Sequence, residues 1–140
     1  MLNRMKPLKL VLSLSAIALV AGCTPNGNAD AEACDIFVPV FNELTSTLLS
    51  DPSAESTAEI MKHVGEVKVE LDHSIEQAKL AQEMDVSEDL EAHLKQYITD
   101  AEAASTAAEN VSAGTVDQSL PIFLGRVGDS GDWLVNHCRE

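Results

Sequence analysis

Residues 60–78 read IMKHVGEVKVELDHSIEQA. Ile60, Val64, Val67, Leu71, Ile75 and Ala78 recur at steps of three and four, which on a 3.6-residue helix aligns them in one apolar stripe. Lys62, Glu66, Glu70 and Glu76 fall off that stripe. The pattern predicts an amphipathic helix from about Ala54 to Glu83, and the segments on either side repeat it. Downstream, Asp85-Val86-Ser87-Glu88 resembles a capping box and opens a helix whose face carries Leu90, Leu94, Tyr97, Ala101, Ala104, Ala108 and Val111, closed by Asn110 to Gly114. Thr115 with Gln118 forms a second capping-box pattern ahead of Leu120, Leu124, Val127, Gly131, Leu134 and Cys138. Pro121 and the glycines at 125, 128 and 131 weaken this last helix, so the pattern leaves its continuity from Gly125 to Gly131 open. Upstream, Cys34, Phe37, Val38, Phe41, Leu44 and Leu48 define a helix from about Asp30 to Leu49, in which Pro39 should cause a kink or a delayed start. Asp51-Pro52-Ser53 forms a turn after it. Four helices with short connections predict an all-α, antiparallel up-and-down four-helix bundle.

Composition agrees with that fold class. Aromatic residues make up only 4% of the chain and alanine is abundant, which favours helix over strand. Every acidic residue lies after Cys23, and of the nine basic ones Arg4, Lys6 and Lys9 lie before it. The portion from Cys23 onward therefore sets six basic against 23 acidic side chains, a formal charge of −17. Such a surface repels nucleic acid and anionic lipid, which excludes a polyanion-binding role and adhesion to a bilayer by charge. Its 118 residues suffice for one domain, spanning residues 34–138.

The chain begins MLNRMKPLKLVLSLSAIALVAGC. Basic residues precede an apolar run from Leu10 to Val20, and the small residues Ala21 and Gly22 follow, the three-part layout of a bacterial export signal. Leu10 to Cys23 is 14 residues, short of the ~20 that span hydrocarbon. Val20-Ala21-Gly22-Cys23 resembles the lipobox of bacterial lipoproteins. That resemblance implies removal of residues 1–22, a diacylglyceryl group on the Cys23 thiol and attachment to the lipid bilayer through this acylated cysteine. An ordinary secretory cut after Gly22 or Ala21 is the alternative. Residues 23–33 read as the lipidated cysteine plus a flexible tether, with Thr24 to Ala29 (TPNGNA) as the leash proper, reaching at most about 38 Å from Cys23 to Cys34. The downstream chain is also similar to the small Ala-rich helical lipoproteins of actinobacteria.

Cysteine arithmetic supports lipidation. An exported chain with Cys23, Cys34 and Cys138 would hold an odd thiol in an oxidising compartment, and acylation of Cys23 leaves a pair. In a four-helix up-and-down bundle the start of the first helix and the end of the fourth share one end, so Cys34 and Cys138 are predicted to form a disulfide. Three helices would separate them by a helix length.

No catalytic, cofactor-binding or metal residue is assigned from the sequence. Glu70 and His73 fit the ExxH spacing of di-iron bundles, but His63, His93 and His137 follow Ile60, Leu90 and Leu134 at that spacing, so no second motif exists and a solvated face is expected. Asp129-Ser130-Gly131-Asp132 lacks the twelve-residue calcium-loop pattern and reads as an acidic turn or loosened helix. Trp133 is expected to pack at the core or flank near one bundle end. There is no GxSxG elbow, CxxC pair, phosphate loop or dinucleotide fingerprint. The sequence thus favours a noncatalytic binding or accessory module held on the extracytoplasmic face of the cell membrane, periplasmic in a two-membrane cell, with another envelope protein as partner. A divalent-cation (calcium) binder and a soluble secreted helical protein are the alternatives.

Overall fold

A computed structural model describes residues 25–50 and 56–140 of the chain. The export signal, Cys23 and the expected Asp51-Pro52-Ser53 turn lie outside the described residues. Four helices follow in order, α1 (Pro25–Leu49), α2 (Thr57–Gln82), α3 (Glu88–Ser112) and α4 (Leu120–Arg139). They form the antiparallel up-and-down bundle that the periodicity predicted, with no strand among the described residues. Each helix packs on its two chain neighbours around the ring, with α2–α3 the most extensive seam and α1–α4 the thinnest.

The ends of the helices correct the sequence reading in several places. Residues from Pro25 onward belong to α1, so TPNGNA is not a leash over that length. Pro is tolerated at a first helical position because its missing N–H would have no partner there, and Asp30, one turn on, is fixed from outside by Ser87. Helix α1 also continues through Pro39 with no delayed start. The lost hydrogen bond there is outweighed by burial of Phe37, Val40, Phe41 and Leu44 on both sides. Helix α2 is capped by Ser56, which accepts from the Glu59 N–H. The cap of α3 is Ser87 rather than Asp85, and its Oγ accepts from the Leu90 N–H. Gly114 takes φ 93°, the left-handed value that ends α3.

Thr115 and Gln118 do not cap α4, which begins at Leu120 with Pro121 in its first turn. Asp117 organises that connection instead, accepting from the Ser119 N–H at 3.0 Å and from the Asn110 side chain at 3.1 Å. The stretch from Gly125 to Gly131, whose continuity the sequence left open, is helical throughout, and α4 is continuous to Arg139. Tertiary packing of Leu120, Val127 and Leu134 overrides the weak propensity of the glycines. A side chain at Gly125 or Gly128 would meet nothing within 4 Å. Gly125→Ala and Gly128→Ala are accordingly expected to stabilise the protein by about 0.5–1 kcal/mol each, readable as a higher urea midpoint at unchanged slope.

The core follows the predicted stripes closely on α3, where Leu90, Leu94, Tyr97, Ala101, Ala104 and Ala108 are all buried. On α2 the stripe fails at its first member, because Ile60 is 47% exposed. Phe37, Phe41 and Tyr97 form an aromatic trio, with centroids 5.6 Å apart for Phe37–Phe41, 4.8 Å for Phe37–Tyr97 and 5.9 Å for Phe41–Tyr97. The buried Tyr97 hydroxyl donates to Ser74 Oγ at 2.7 Å, and Ser74 donates in turn to the Leu71 carbonyl. Burial raises the Tyr97 pKa while the Ser74 contact opposes the rise, so the phenol stays neutral.

Cys34 on α1 and Cys138 on α4 are joined by a disulfide, with Cα atoms 5.6 Å apart across a sequence separation of 104. This cross-link spans the thinnest seam of the ring.

Candidate functional site

Two side-chain groups stand out, one at the disulfide end and one on the α1–α2 flank. At the disulfide end, helix polarity brings together the first turns of α1 and α3 and the last turns of α4. Asp30 accepts the Ser87 N–H and Oγ–H, both at 2.7 Å, and the His137 imidazole lies 3.7 Å from the same carboxylate. Serine, aspartate and histidine are the residue types of a hydrolytic triad, but here the carboxylate sits between the other two. The imidazole cannot take the serine proton, and Ser87 is engaged as the α3 cap, so the group is structural.

Trp133 stacks on His93 of α3 with centroids 3.2 Å apart and on His137 of its own helix at 4.9 Å. Its half-buried indole therefore ties α3 to α4 and packs against the core, as expected of it. Beside it runs an open groove lined by Gln96, Asp100, Arg126, Asp129 and Ser130. Asp129-Ser130-Gly131-Asp132 is neither a turn nor loosened helix. It lies within α4, with Ser130 donating to the Arg126 carbonyl at 2.9 Å and Gly131 buried against Phe41. Only Asp129 and Asp132 of that tetrad are exposed, and they do not form a calcium loop.

On the α2–α3 seam, Asp72 is held by Lys68 at 2.5 Å and by the Ser105 hydroxyl. Burial disfavours its charge, yet the hydrogen bonds from Lys68 and Ser105 and the Lys68 charge outweigh it, leaving the carboxyl below its ordinary pKa. The same contact raises the Lys68 pKa. Lys79 and Glu102 add an exposed ion pair at 2.9 Å across this seam.

The second group is Glu43, Glu70 and His73. Glu70 and His73 share a face of α2 at i,i+3, as their spacing predicts. That face does not point wholly to solvent, because α1 brings Glu43 to it. One ligand atom from each of the three side chains lies within 4.8 Å of the others. The sequence placed Glu70 and His73 on one face without assigning them as ligands, and it gave no sign of Glu43, since the register between two helices is not encoded in the period of either.

Of the six exposed large apolar side chains among the described residues, four lie at the end opposite the disulfide, while Val69 lies midway along α2 and Leu80 near its last turn. Leu49 closes α1, Ile60 opens α2, Val116 lies in the α3–α4 connection and Ile122 opens α4, with exposures from 47% to 83%. No helix among the described residues is long and apolar enough to cross a membrane.

In comparison with known proteins, the chain matches no family model, no curated protein and no solved structure.

Proposed function

We propose that the protein is an exported, lipid-anchored lipoprotein that presents an acidic helical bundle as a noncatalytic binding module of the cell envelope. The observation that carries this reading is the consumption of Cys34 and Cys138 by one another, which leaves Cys23 as the single thiol for modification, directly after Val20-Ala21-Gly22. A disulfide between the chain's first and last helices also suits an oxidising compartment outside the cytoplasm. Two acyl chains would hold the domain firmly, each buried methylene adding ~0.8 kcal/mol, where the −17 surface could not adhere by charge.

Anchorage at Cys23 would orient the molecule. Because α1 already begins at Pro25, Cys34 and the disulfide end lie roughly 14 Å of helical rise beyond it, and the bundle stands near the membrane instead of on a long leash. The end bearing Leu49, Ile60, Val116 and Ile122 then faces away from the bilayer, where an envelope protein could meet it.

Metabolic labelling with a fatty-acid analogue tests the attachment point. The wild type should carry label in the membrane fraction, and Cys23→Ser should lose the label and the membrane association together. Label retained in Cys23→Ser would overturn the reading, and an unlabelled wild type released to the medium would favour the soluble secreted alternative.

A further inference from the structure

We infer that Glu43, Glu70 and His73 form a binding site for a borderline divalent cation of the zinc type, bridging α1 and α2. The donors come from two helices, and they converge without any internal partner. Among the described residues, none of the three side chains has a hydrogen bond or ion pair, although their ligand atoms approach within 4.8 Å. Lys68 and Lys79, the cations of α2 that do form ion pairs, are committed to Asp72 and Glu102. Two carboxylates held this close in an already anionic domain repel each other, and a bound dication reverses that repulsion.

The distances suit an ion of this size. Zinc bonds to imidazole nitrogen and carboxylate oxygen at about 2.0–2.2 Å, which puts neighbouring donors of a tetrahedral shell about 3.5 Å apart. Glu43 is exposed and Glu70 half-buried, so both can close the remaining ångström by rotamer adjustment without disturbing the core. Exposure also leaves the rest of the shell to water, as in open three-ligand zinc sites.

Donor chemistry separates this site from the calcium alternative. Calcium takes six to eight oxygens, whereas one imidazole with two carboxylates suits zinc and its first-row neighbours. The site is independent of the lipid anchor, since Glu43, Glu70 and His73 lie along the bundle flank and need no membrane.

Calorimetric titration of the intact purified protein, stripped with chelator and kept in detergent, decides the matter. Zinc chloride should bind with one site per chain. His73→Ala and Glu43→Gln should each weaken it by more than the about ten- to hundredfold that losing a supporting hydrogen bond costs a metal site. His93→Ala and Glu76→Gln should leave it unchanged, and calcium chloride should give no comparable heat. Cobalt(II) should give a visible absorption band in the wild type that His73→Ala abolishes. All the altered side chains are exposed or outside the core, and far-UV circular dichroism checks that each variant keeps its fold. Zinc affinity unchanged in both His73→Ala and Glu43→Gln, calcium binding as tight as zinc, or no binding at all would each overturn the assignment.

Discussion

Cys34→Ser, Cys138→Ser or reduction of the folded protein should lower the unfolding free energy by up to about 4.7 kcal/mol, the loop-closure value for a cross-link spanning about 100 residues. The bond joins residues 104 apart, so its loss frees nearly the whole domain in the unfolded ensemble. A domain of this size has only about 5–15 kcal/mol to lose. The cost should also be unevenly distributed. Helix α1 meets α4 along the thinnest seam, whereas α2 and α3 share the most extensive one, reinforced by Tyr97–Ser74, Ser105–Asp72 and Lys79–Glu102. Hydrogen exchange after reduction should therefore accelerate most in α1 and α4 and least in the middle of α3. Urea unfolding with and without reductant measures the global effect. A midpoint shift worth less than about 1 kcal/mol, with uniform exchange, would mean that the α1–α4 seam holds without its staple.

What the sequence disclosed and what it withheld divide along a physical line. The stripe Leu90–Leu94–Tyr97–Ala101–Ala104–Ala108–Val111 was legible because period alone decides which face of a helix is buried, and all are buried except the half-buried Val111. The pairing of Cys34 with Cys138 was legible because helix parity decides which ends coincide. Contacts that depend on the register between helices were not. Glu43 meets Glu70 and His73, and Asp30 meets Ser87 across 57 residues, through an axial offset that no repeat encodes. Local propensity misled in the other direction. Pro39, Gly125 and Gly128 argue against helix one residue at a time, but their neighbours Phe41, Val127 and Leu134 are buried, and burial of whole faces exceeds those penalties. Asp85 and Thr115 matched a capping pattern, whereas Ser87 caps α3 and α4 starts after Ser119 with no side-chain cap, since where a helix starts is set by packing.

Gly131→Ala should destabilise the protein by about 2–3 kcal/mol, against the trend of the other α4 glycines. A β-carbon at Gly131 would fall on the Cδ2, Cε2 and Cζ atoms of Phe41, so one methyl group cannot enter without displacing that ring. The ring has nowhere easy to go. Phe41 stacks on Phe37 and stands edge-on to Tyr97, and Tyr97 is fixed by its hydrogen bond to Ser74. Movement of α4 away from α1 is the other escape, and the Cys34–Cys138 bond, two turns further along α4, opposes it. The gain in helix propensity from Gly to Ala, about 1 kcal/mol, offsets only part of the overlap. Three comparisons isolate the cause. Gly128→Ala, one turn earlier with open space at its β-carbon, should stabilise rather than destabilise. Phe41→Leu combined with Gly131→Ala should cost less than the sum of the two single changes, by about 1 kcal/mol or more in a double-mutant cycle read by urea unfolding. Reduction of the disulfide should shrink the Gly131→Ala penalty as well, because α4 is then free to swing outward. If Gly131→Ala proves as stable as Gly128→Ala, the close approach of α1 and α4 at Phe41 is wrong, and with it the reason a glycine occupies the middle of the last helix.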